Sequence, residues 1–387
     1  MKDVWPEVRL ADVLIQVSRP TTPDVSRSYR LLGIRLDGNG AFHRETVTGA
    51  ETSASRLFEV RDGDFIYSRL FAWRGAFGLV SAELSGAHVS SEFPTFRASD
   101  QRLDERFLYL WFKLPDTLKR VEAECSGSTP LTRNRFKEKF FLDLKIPLPT
   151  IGEQRRIVEY IETVAEKVEG AKTLAGEADS AARTLLSQAF WGIARDALRK
   201  PMSQVAPLVR RPIKVVPDGS YSELGIRSFG KGTFHKRALS GLEVGTKRIF
   251  AINPGDLLFS NVFAWEGAIA VARTEDANRC GSHRFISCLP YREIATAEYL
   301  CFFFLTEQGL ALIGEASPGG AGRNRTLGLE ALNKIEVPVP SIQQQQWFGK
   351  LLKVSSAQKH ERVSSTVALD ALVPAVLHKA FSGSVQR

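Results

Sequence analysis

Apolar residues recur at alternating steps of four and three along one stretch in the middle of the chain. They are Ile157, Ile161, Val164, Val168, Ala171, Ala175, Ala178, Ala182, Leu185 and Ala189. This heptad spacing is typical of a helix that packs along a partner helix. At 1.5 Å per residue, a helix over 157–189 is roughly 50 Å long, which is longer than packing on a single domain requires. The pattern therefore predicts one strand of a coiled coil.

A weaker version of the same pattern lies near the end of the chain, over 348–380. Its apolar positions are Phe348, Leu352, Leu369, Val373, Val376 and Ala380, and Lys359 and Arg362 interrupt it. The first helix leads from one half of the chain into the other. If a pseudo-two-fold axis relates the halves, the second helix must run antiparallel to the first. We therefore expect the two segments to form an antiparallel coiled coil.

Short strand-like segments dominate the regions before each helix. "EVRDGDFIYSRLFAW" has apolar runs after an Asp-Gly turn, and "AINPGDLLFSNVFAW" has the same arrangement after a Pro-Gly turn. Both end on the word Phe-Ala-Trp. These regions predict α/β (α+β) domains built mainly from short strands.

The sequence of the chain is a tandem duplication of one unit. At an offset of 192, roughly 24 of the 68 positions from 29 to 96 are identical to positions 221–288, and no gap is needed. Further on, with slightly smaller offsets, "RNR" at 133–135 meets "RNR" at 323–325, and "IPLPTIGEQ" at 146–154 meets "VPVPSIQQQ" at 337–345. A period this long excludes a solenoid. We predict a head domain over 1–148, a spacer helix over 149–199, a second head over 200–339 and a second spacer helix over 340–387.

Composition and charge narrow the class of protein. The chain has 387 residues with a net charge of +9 and a pI of about 9.4, a basic excess compatible with a polyanionic partner. The four cysteines form no C-x-x-C pair, so neither a disulfide framework nor a zinc site is expected. The first residues lack the apolar run of a signal peptide, and no segment is long and apolar enough to span a bilayer. We expect a cytoplasmic location and no membrane association.

Motifs for catalysis are incomplete. "GIRSFGKG" at 225–232 approaches a phosphate-binding loop but ends on Gly232, without the hydroxyl that would hold magnesium. The six histidines have no metal-ligand spacing, and no nucleophile elbow is present. The sequence therefore predicts a non-enzymatic chain without a metal or cofactor of its own.

Basic and amide side chains at repeated positions indicate a DNA-binding surface instead. Arginine pairs with guanine and asparagine with adenine, and arginine and lysine also hold phosphates. The alternative is that these residues are solvated surface charges, or buried structural arginines at 35 and 227. The predicted DNA-binding residues are Arg35, His43, Arg69, Arg74, Arg133, Asn134, Arg135, Arg227, Lys231, His235, Asn261, Arg323, Asn324 and Arg325.

The repeat, the "IPLP…EQ" junction, the long helices and the "LHKAFSG" ending together resemble the specificity (S) subunit of Type I restriction–modification systems, over essentially the full length. The resemblance implies two target recognition domains, each reading one half of a bipartite target in double-stranded DNA. An antiparallel coiled coil would fix the spacer, bridging heads set about one helical turn, 34–36 Å, apart. It also implies two methyltransferase (M) subunits and, in some complexes, restriction (R) subunits. S-adenosylmethionine, ATP and magnesium would belong to these partners.

Residues expected in the coiled coil or in subunit docking are Ile157, Ile161, Val164, Val168, Leu185, Phe190, Leu369, Val373, Val376 and Phe381. The junction reads "IGEQRR" in the first copy and "IQQQQW" in the second. The second surface for docking an M subunit is therefore less clearly predicted than the first. An alternative is a DNA-recognition or scaffold subunit of another modification or defence assembly.

The two heads are unusually alike, so positions at which they differ are the better candidates for reading bases. These are Leu36/Ser228, Asn39/Lys231, Arg69/Asn261 and Arg74/Glu266. The shared Phe-Ala-Trp words are expected mainly to be framework that positions Arg74 and Glu266.

Overall fold

The computed structural model describes residues 5–125, 135–319 and 325–382. The chain divides into two compact units. Unit 1 comprises Met1–Ala175 with Val363–Arg387, and unit 2 comprises Gly176–Arg362. Each unit therefore contains one head together with a part of each long helix. The sequence predicts four segments, in which the heads are separated from the helices. The two compact units are a different division of the chain and do not test those segment boundaries, which stay a prediction.

Unit 1 contains three antiparallel or mixed sheets and short helices. Its strands are β1 (Glu7–Arg9), β2 (Leu14–Val17), β3 (Pro20–Thr21), β4 (Ser28–Ile34), β5 (Ala41–Thr48), β6 (Leu57–Glu59), β7 (Phe65–Tyr67), β8 (Phe77–Leu79), β9 (His88–Val89), β10 (Thr95–Ala98) and β11 (Lys145–Pro147). Its helices are α1 (Glu105–Trp111), α2 (Pro115–Ala123), α3 (Glu138–Asp143) and the first part of α4 (Ile151–Ala194). The sheet orders are β3-β6-β9-β4-β5, β2-β10-β7-β8 and β1-β11.

Unit 2 repeats this plan. Its strands are β12 (Arg199–Pro201), β13 (Leu208–Val209), β14 (Ser220–Ile226), β15 (Thr233–Ser240), β16 (Ile249–Ile252), β17 (Leu257–Ser260), β18 (Ile269–Val271), β19 (Arg279–Ser282), β20 (Phe285–Cys288) and β21 (Glu336–Pro338). Its helices are α5 (Met202–Val205), α6 (Gly241–Val244), α7 (Ala297–Leu305), α8 (Glu307–Glu315), α9 (Leu329–Lys334) and the first part of α10 (Ile342–Phe381). The sheet orders are β15-β14-β19-β16, β13-β20-β17-β18 and β12-β21.

The two heads agree in strand register as well as in strand order. The parallel pair β4–β9 aligns Leu31 with His88, and β14–β19 aligns Glu223 with Cys280. Both residues of the second pair lie 192 positions after those of the first. Strands β4 and β5 form a long hairpin in head 1, and β14 and β15 form the equivalent long hairpin in head 2. Both hairpins have a register irregularity at the same place. The prediction of two similar α/β heads with short strands is therefore confirmed.

A buried ion pair fixes the same corner of each head. Asp64 and Asp256 are fully buried. Arg19 reaches Asp64 with Nη1 at 2.6 Å, and Arg211 reaches Asp256 with Nη1 at 2.6 Å. A buried carboxylate is tolerated only when charge and hydrogen bonds compensate its lost hydration. This pair is therefore framework common to both heads.

Packed aromatic rings fill the core of head 1. Phe77 and Phe112 stack with ring centroids 4.1 Å apart, and Phe96 lies 4.5 Å from Phe141. In head 2 the core is built largely from α7, whose Tyr299, Phe303 and Phe304 are buried. The apolar "YLCFFFL" segment is thus a core helix.

The long helices run antiparallel within each unit. In unit 1, Ile157 and Ile161 of α4 share a buried cluster with Leu377 and Ala380 of α10. In unit 2, Phe190 lies 5.5 Å from Phe348, ring centroid to ring centroid. Residues early in α4 thus meet residues late in α10, and the reverse holds at the other end. This is the pairing that the repeat predicts.

An ion pair between the helices is present in each unit. Lys172 Nζ lies 2.5 Å from Asp370 Oδ1, and Arg362 Nη2 lies 2.6 Å from Asp179 Oδ1. Asp179 and Asp370 occupy equivalent positions in the two copies, 191 residues apart. The apparent interruption of the second heptad pattern at Arg362 is thus half of an interhelix contact.

The predicted seam of α4 is wrong at two positions in its second half, Ala178 and Leu185. Leu185 is 55% exposed, and Leu186 packs against the core of unit 2 instead. Ala178 is likewise exposed, while Asp179 faces α10. The seam advances four residues where the strict heptad advances three, because an α-helix has 3.6 residues per turn and drifts away from a 3.5-residue repeat. The other seam residues, among them Val164, Val168, Leu369, Val373, Val376 and Phe381, are buried or half-buried.

A buried glutamine joins each head to its helix. Gln154 accepts a hydrogen bond from Asp104 N and donates to Arg102 O and Pro149 O. Gln345 accepts from Thr296 N and donates to Ile294 O and Pro340 O. Both side chains are fully buried. The shared Gln of the "GEQ" and "QQQ" words therefore fixes the first turn of each long helix on its head.

Candidate nucleic-acid interface

The Phe-Ala-Trp turn of each head holds the tip of the long hairpin. In head 1, Asp37 N donates to Arg74 O and Gly38 N to Gly75 O, each at 2.9 Å. In head 2, Phe229 N donates to Glu266 O at 2.8 Å and Gly230 N to Gly267 O at 2.9 Å. All four bonds use backbone atoms. The tip is therefore held in the same way whichever side chains it carries.

Glycine is required where the turn meets the hairpin. Gly75 and Gly267 have φ values of 72° and 77°, a region that side chains disfavour. A Cβ on Gly75 would also lie 3.2 Å from Gly38 N. The Gly that follows each Phe-Ala-Trp word thus permits the close approach of the two backbones.

Three of the four aligned positions at which the heads differ lie at this junction in each head. Leu36/Ser228 and Asn39/Lys231 flank the hairpin tip, and Arg74/Glu266 ends the turn. In head 2 these positions contact each other, since Ser228 Oγ donates to Glu266 Oε2 at 3.0 Å. The tip also carries Phe229, which is 75% exposed and has a φ of 61°. A bulky residue in the left-handed region is unusual and marks a constrained position.

The two tips rest on their helices through different chemistry. In head 1, Tyr109 Oη donates to Gly38 O at 2.6 Å, and Lys113 Nζ lies 4.3 Å from the Tyr109 ring centroid. Burial raises the pKa of Tyr109 to about 12. In head 2, a Cβ on Gly230 would meet Leu305, which stands at the position equivalent to Lys113. Head 1 therefore uses a polar support and head 2 an apolar one.

Arg35 and Arg227 occupy equivalent environments. The Arg35 guanidinium carbon lies 4.5 Å from the Phe42 ring centroid, and that of Arg227 lies 4.9 Å from Phe234. Both distances are within cation–π range. Each arginine thus has an intramolecular partner, as expected for the structural alternative, and DNA contact by either stays a prediction.

The two predicted histidines differ in their anchoring. His43 Nε2 pairs with Thr46 Oγ1 at 3.0 Å on the exposed strand β5. His235 Nε2 lies 2.9 Å from Asp276 Oδ1. Burial alone would raise the pKa of Asp276, but hydrogen bonds from Arg273 N, His235 and Thr233 hold it below its ordinary value. An ionised carboxylate can only accept, so His235 Nε2 is a donor and its ring orientation is fixed.

Arg69 and Asn261 tie strand ends to the segment before α3 or α9. Arg69 forms an ion pair with Glu138, and its backbone O accepts from Phe136 N at 2.9 Å. Asn261 Nδ2 donates to Leu327 O at 3.0 Å, and Leu327 N donates to Asn261 O at 2.8 Å. These side chains make structural contacts, which the sequence did not reveal. Their role in base reading is untested and stays a prediction.

The "RNR" loops are described only at their last residues, because Arg133, Asn134, Arg323 and Asn324 lie outside the described residues. Arg135 Nη2 lies 3.0 Å from Glu92 Oε1. Arg325 instead lies over Trp265, with its guanidinium carbon 5.4 Å from the ring centroid. The two arginines align in sequence but serve different environments.

Sequence reasoning missed Phe229, Tyr109 and the buried glutamines. An aromatic residue directly before Gly230 at a hairpin tip was an available signal for Phe229. For Gln154 the repeat was an available signal, because it aligns with an identical Gln345 while the polar residues beside it differ between the copies. Among the described residues no cluster of His, Cys, Asp and Glu could hold a metal ion. The helices of the described ranges also include none that is long and apolar enough to cross a membrane.

Residues 5–175 match the family model described as "Type I restriction modification DNA specificity domain". This range covers head 1 and the beginning of α4, and the repeat extends the same fold to head 2. The match assigns the fold of this DNA specificity domain to head 1, and head 2 repeats that fold. Over nearly its whole length the chain shares the fold of solved specificity subunits of Type I restriction–modification systems. The resemblance inferred from the sequence is confirmed.

Solved structures share this fold at low sequence identity. The HsdS subunit of Thermoanaerobacter tengcongensis is 19% identical with a TM-score of 0.64, covering 99% of this chain and 98% of that chain. A structure described as the basis of complex assembly and conformational transition of the type I R-M system is 19% identical with a TM-score of 0.69, covering 99% of both chains. The S subunit from M. genitalium is 15% identical with a TM-score of 0.50, covering 98% of this chain and 97% of that chain. No curated protein sequence shows significant similarity to the chain.

Proposed function

We propose that the chain is the non-catalytic subunit that gives a Type I complex its DNA sequence, with each head reading one half of a bipartite target. The observation that carries this proposal is the duplication itself. Two heads share strand registers, the buried Arg–Asp pair and the glutamine joint on one chain. Two readers on a helical spacer recognise two short sequences separated by a gap whose bases are not read. The α4–α10 coiled coil sets the length of that gap.

Two methyltransferase subunits bind the chain in this proposal, and restriction subunits join in some assemblies. The exposed apolar side chains on α4 and α10 support a protein-binding role, because large apolar groups on a helix surface favour contact with a partner. They include Tyr160, Leu185 and Trp347, which are 49%, 55% and 51% exposed. S-adenosylmethionine, ATP and magnesium belong to the partners, and the complex works in the cytoplasm.

Base reading is assigned to the hairpin tips. Both tips have the same backbone attachment, and their side chains differ at 36/228, 37/229 and 39/231. A rigid mount with variable side chains is what two readers of different sequences require. His235 of strand β15, which is hydrogen-bonded to Asp276, adds a fixed hydrogen-bonding group in head 2.

Methylation mapping in the organism that carries the gene tests the proposed function. We expect one gapped motif with methylated adenines in both halves, and we expect its methylation to disappear when the gene is deleted. Re-expression of the intact chain should restore it. Unchanged methylation of every motif after deletion would favour a subunit of another kind of assembly, or a scaffold.

Exchange of the tips tests where the bases are read. Placing the 228–231 side chains on positions 36–39 should change the first half of the motif and leave the second half and the gap unchanged. The four backbone hydrogen bonds at the tips do not depend on these side chains, so we expect folding to persist. The matched control is the same exchange at 27–30 with 219–222, outside the tip. An unchanged motif with an intact protein would refute reading by the tip.

A further inference from the structure

Each Phe-Ala-Trp turn presents a tryptophan ring in a fixed position. Trp73 Nε1 donates to Leu70 O at 3.1 Å, and Trp265 Nε1 donates to Val262 O at 3.0 Å. Both indoles are half-buried. The Phe of each word is exposed beside the ring, 47% for Phe71 and 39% for Phe263. The same partly open aromatic surface therefore exists in both heads.

A guanidinium lies over this surface in each head, but it comes from a different part of the chain. In head 1 the cation is Arg74, whose guanidinium carbon is 5.9 Å from the Trp73 ring centroid. In head 2 the equivalent position is Glu266, which accepts a hydrogen bond from Ser228. Arg325 occupies the surface there at 5.4 Å from Trp265. The positive charge is retained although the residue that supplies it has changed.

Neither arginine has an ion-pair partner among the described residues, whereas the neighbouring Arg69 and Arg135 are paired with Glu138 and Glu92. A cation held by an aromatic ring keeps its N–H groups available to an outside anion. We propose that Arg74 and Arg325 are equivalent DNA phosphate-contacting residues, each positioned by the tryptophan of its Phe-Ala-Trp turn. The inference rests on the proposed function, since it assumes that both heads bind DNA.

The tryptophan-supported arginine is present in both heads, and this sharing indicates that it contacts phosphate rather than a base. Two heads that read different half-sites need different base contacts, while the phosphate backbone is the same in every sequence. The divergent tip residues lie beside the turn and can read bases. The tryptophan-supported cation then holds the DNA backbone at a constant place relative to each tip. Trp73 and Trp265 act as positioning residues.

Salt-dependent DNA binding by the full-length chain tests this inference. The variants are Arg74→Ala, Arg325→Ala and the double variant, and the probe is a mixed-sequence DNA duplex titrated between about 50 and 200 mM salt. Each contacted phosphate contributes about 0.9 to the slope of log affinity against log salt. Each single variant should therefore lose about one unit of slope and bind about eightfold more weakly at 0.1 M salt. The double variant should lose about two units.

Three further variants separate a phosphate contact from other effects. Arg9→Ala removes the same charge from an exposed pair with Asp12 and should leave the slope unchanged. Arg325→Lys keeps the charge and should retain most of the slope. Trp265→Leu keeps Arg325 but removes its support, and we expect a partial loss. Thermal unfolding of each variant checks that the fold is retained.

The outcomes are distinguishable. Wild-type slopes in both arginine variants, or an equal loss in Arg9→Ala, would overturn the inference while leaving DNA binding intact. A changed methylation motif with an unchanged slope would show base contact and also overturn it. A wild-type chain that binds no DNA at any salt concentration would refute the proposed function, and the inference with it.

Discussion

The hairpin tips of the two heads have the same backbone and different surfaces. Head 1 presents Asp37 and Asn39 on a tip supported by the Tyr109 hydroxyl, and head 2 presents Phe229 and Lys231 on a tip that contacts Leu305. In both, the tip is attached by two backbone hydrogen bonds to the Phe-Ala-Trp turn. Because backbone atoms make the attachment, the side chains can change without loss of the fold. The backbone hydrogen bonds that hold each tip are thus common to the two heads, and the side chains that the tip presents are specific to each head.

The largest expected effect concerns the mount that both heads share. Asp64→Asn and Asp256→Asn each leave a partly buried arginine without its carboxylate, and breaking such a pair costs about 3–5 kcal/mol. We expect similar losses in the two heads, measured by urea unfolding of the full chain. Asp62→Asn, two residues before Asp64 and exposed, is the control. A loss in only one head would show that the pair is not common framework.

A somewhat smaller effect is expected at the joint between head and helix. Gln154→Ala and Gln345→Ala each leave buried carbonyl and N–H groups without partners, at a cost of about 2–3 kcal/mol. Gln344→Ala removes two exposed hydrogen bonds, which its Oε1 accepts from Ser341 N and Ser341 Oγ, and it should cost less because water can replace them. Hydrogen exchange at the first turn of α4 or α10 would localise the change. Equal exchange rates in Gln344→Ala and Gln345→Ala would contradict the special role of the buried residue.

The smallest effect distinguishes the two tips. Tyr109→Phe removes one hydrogen bond to Gly38 and should cost about 1 kcal/mol at neutral pH. The folded-state pKa of Tyr109, about 12, lies above the unfolded value of about 10. Its contribution is therefore complete below pH about 10 and is lost as pH rises towards 12. The difference in stability between wild type and variant should narrow over that range, and a constant difference would contradict the buried hydroxyl.

Much of the fold followed from the sequence because duplication and periodicity are properties of many residues at once. The offset of 192 predicted the common registers, and the heptads predicted the antiparallel helices. Individual side-chain contacts were harder to predict from the sequence. Arg325 aligns with Arg135 in the "RNR" words, yet only Arg325 reaches a Phe-Ala-Trp turn, because Glu266 has replaced the arginine found at position 74. Leu185 was misplaced because the 3.6-residue turn of the helix brings Leu186, one residue later, onto the packed face.

The Phe-Ala-Trp words combine a framework role with an exposed aromatic surface. The sequence indicated framework because both copies carry them. The framework role is real, since the turns hold the hairpin tips, but Phe71 and Phe263 are exposed and each tryptophan carries a cation. Shared residues can therefore belong to a binding surface when the feature bound is common to both half-sites.

The ion pairs between α4 and α10 record the direction in which the helices run. Each helix contributes one aspartate and one cation, and the aspartates stand at equivalent positions, 179 and 370. A parallel alignment of the two copies would place these like charges side by side and leave Arg362 opposite Ala171. Like charges on facing helices repel, and the unpaired cation would gain no partner. The duplicated charge pattern thus penalises the wrong orientation before any subunit is bound.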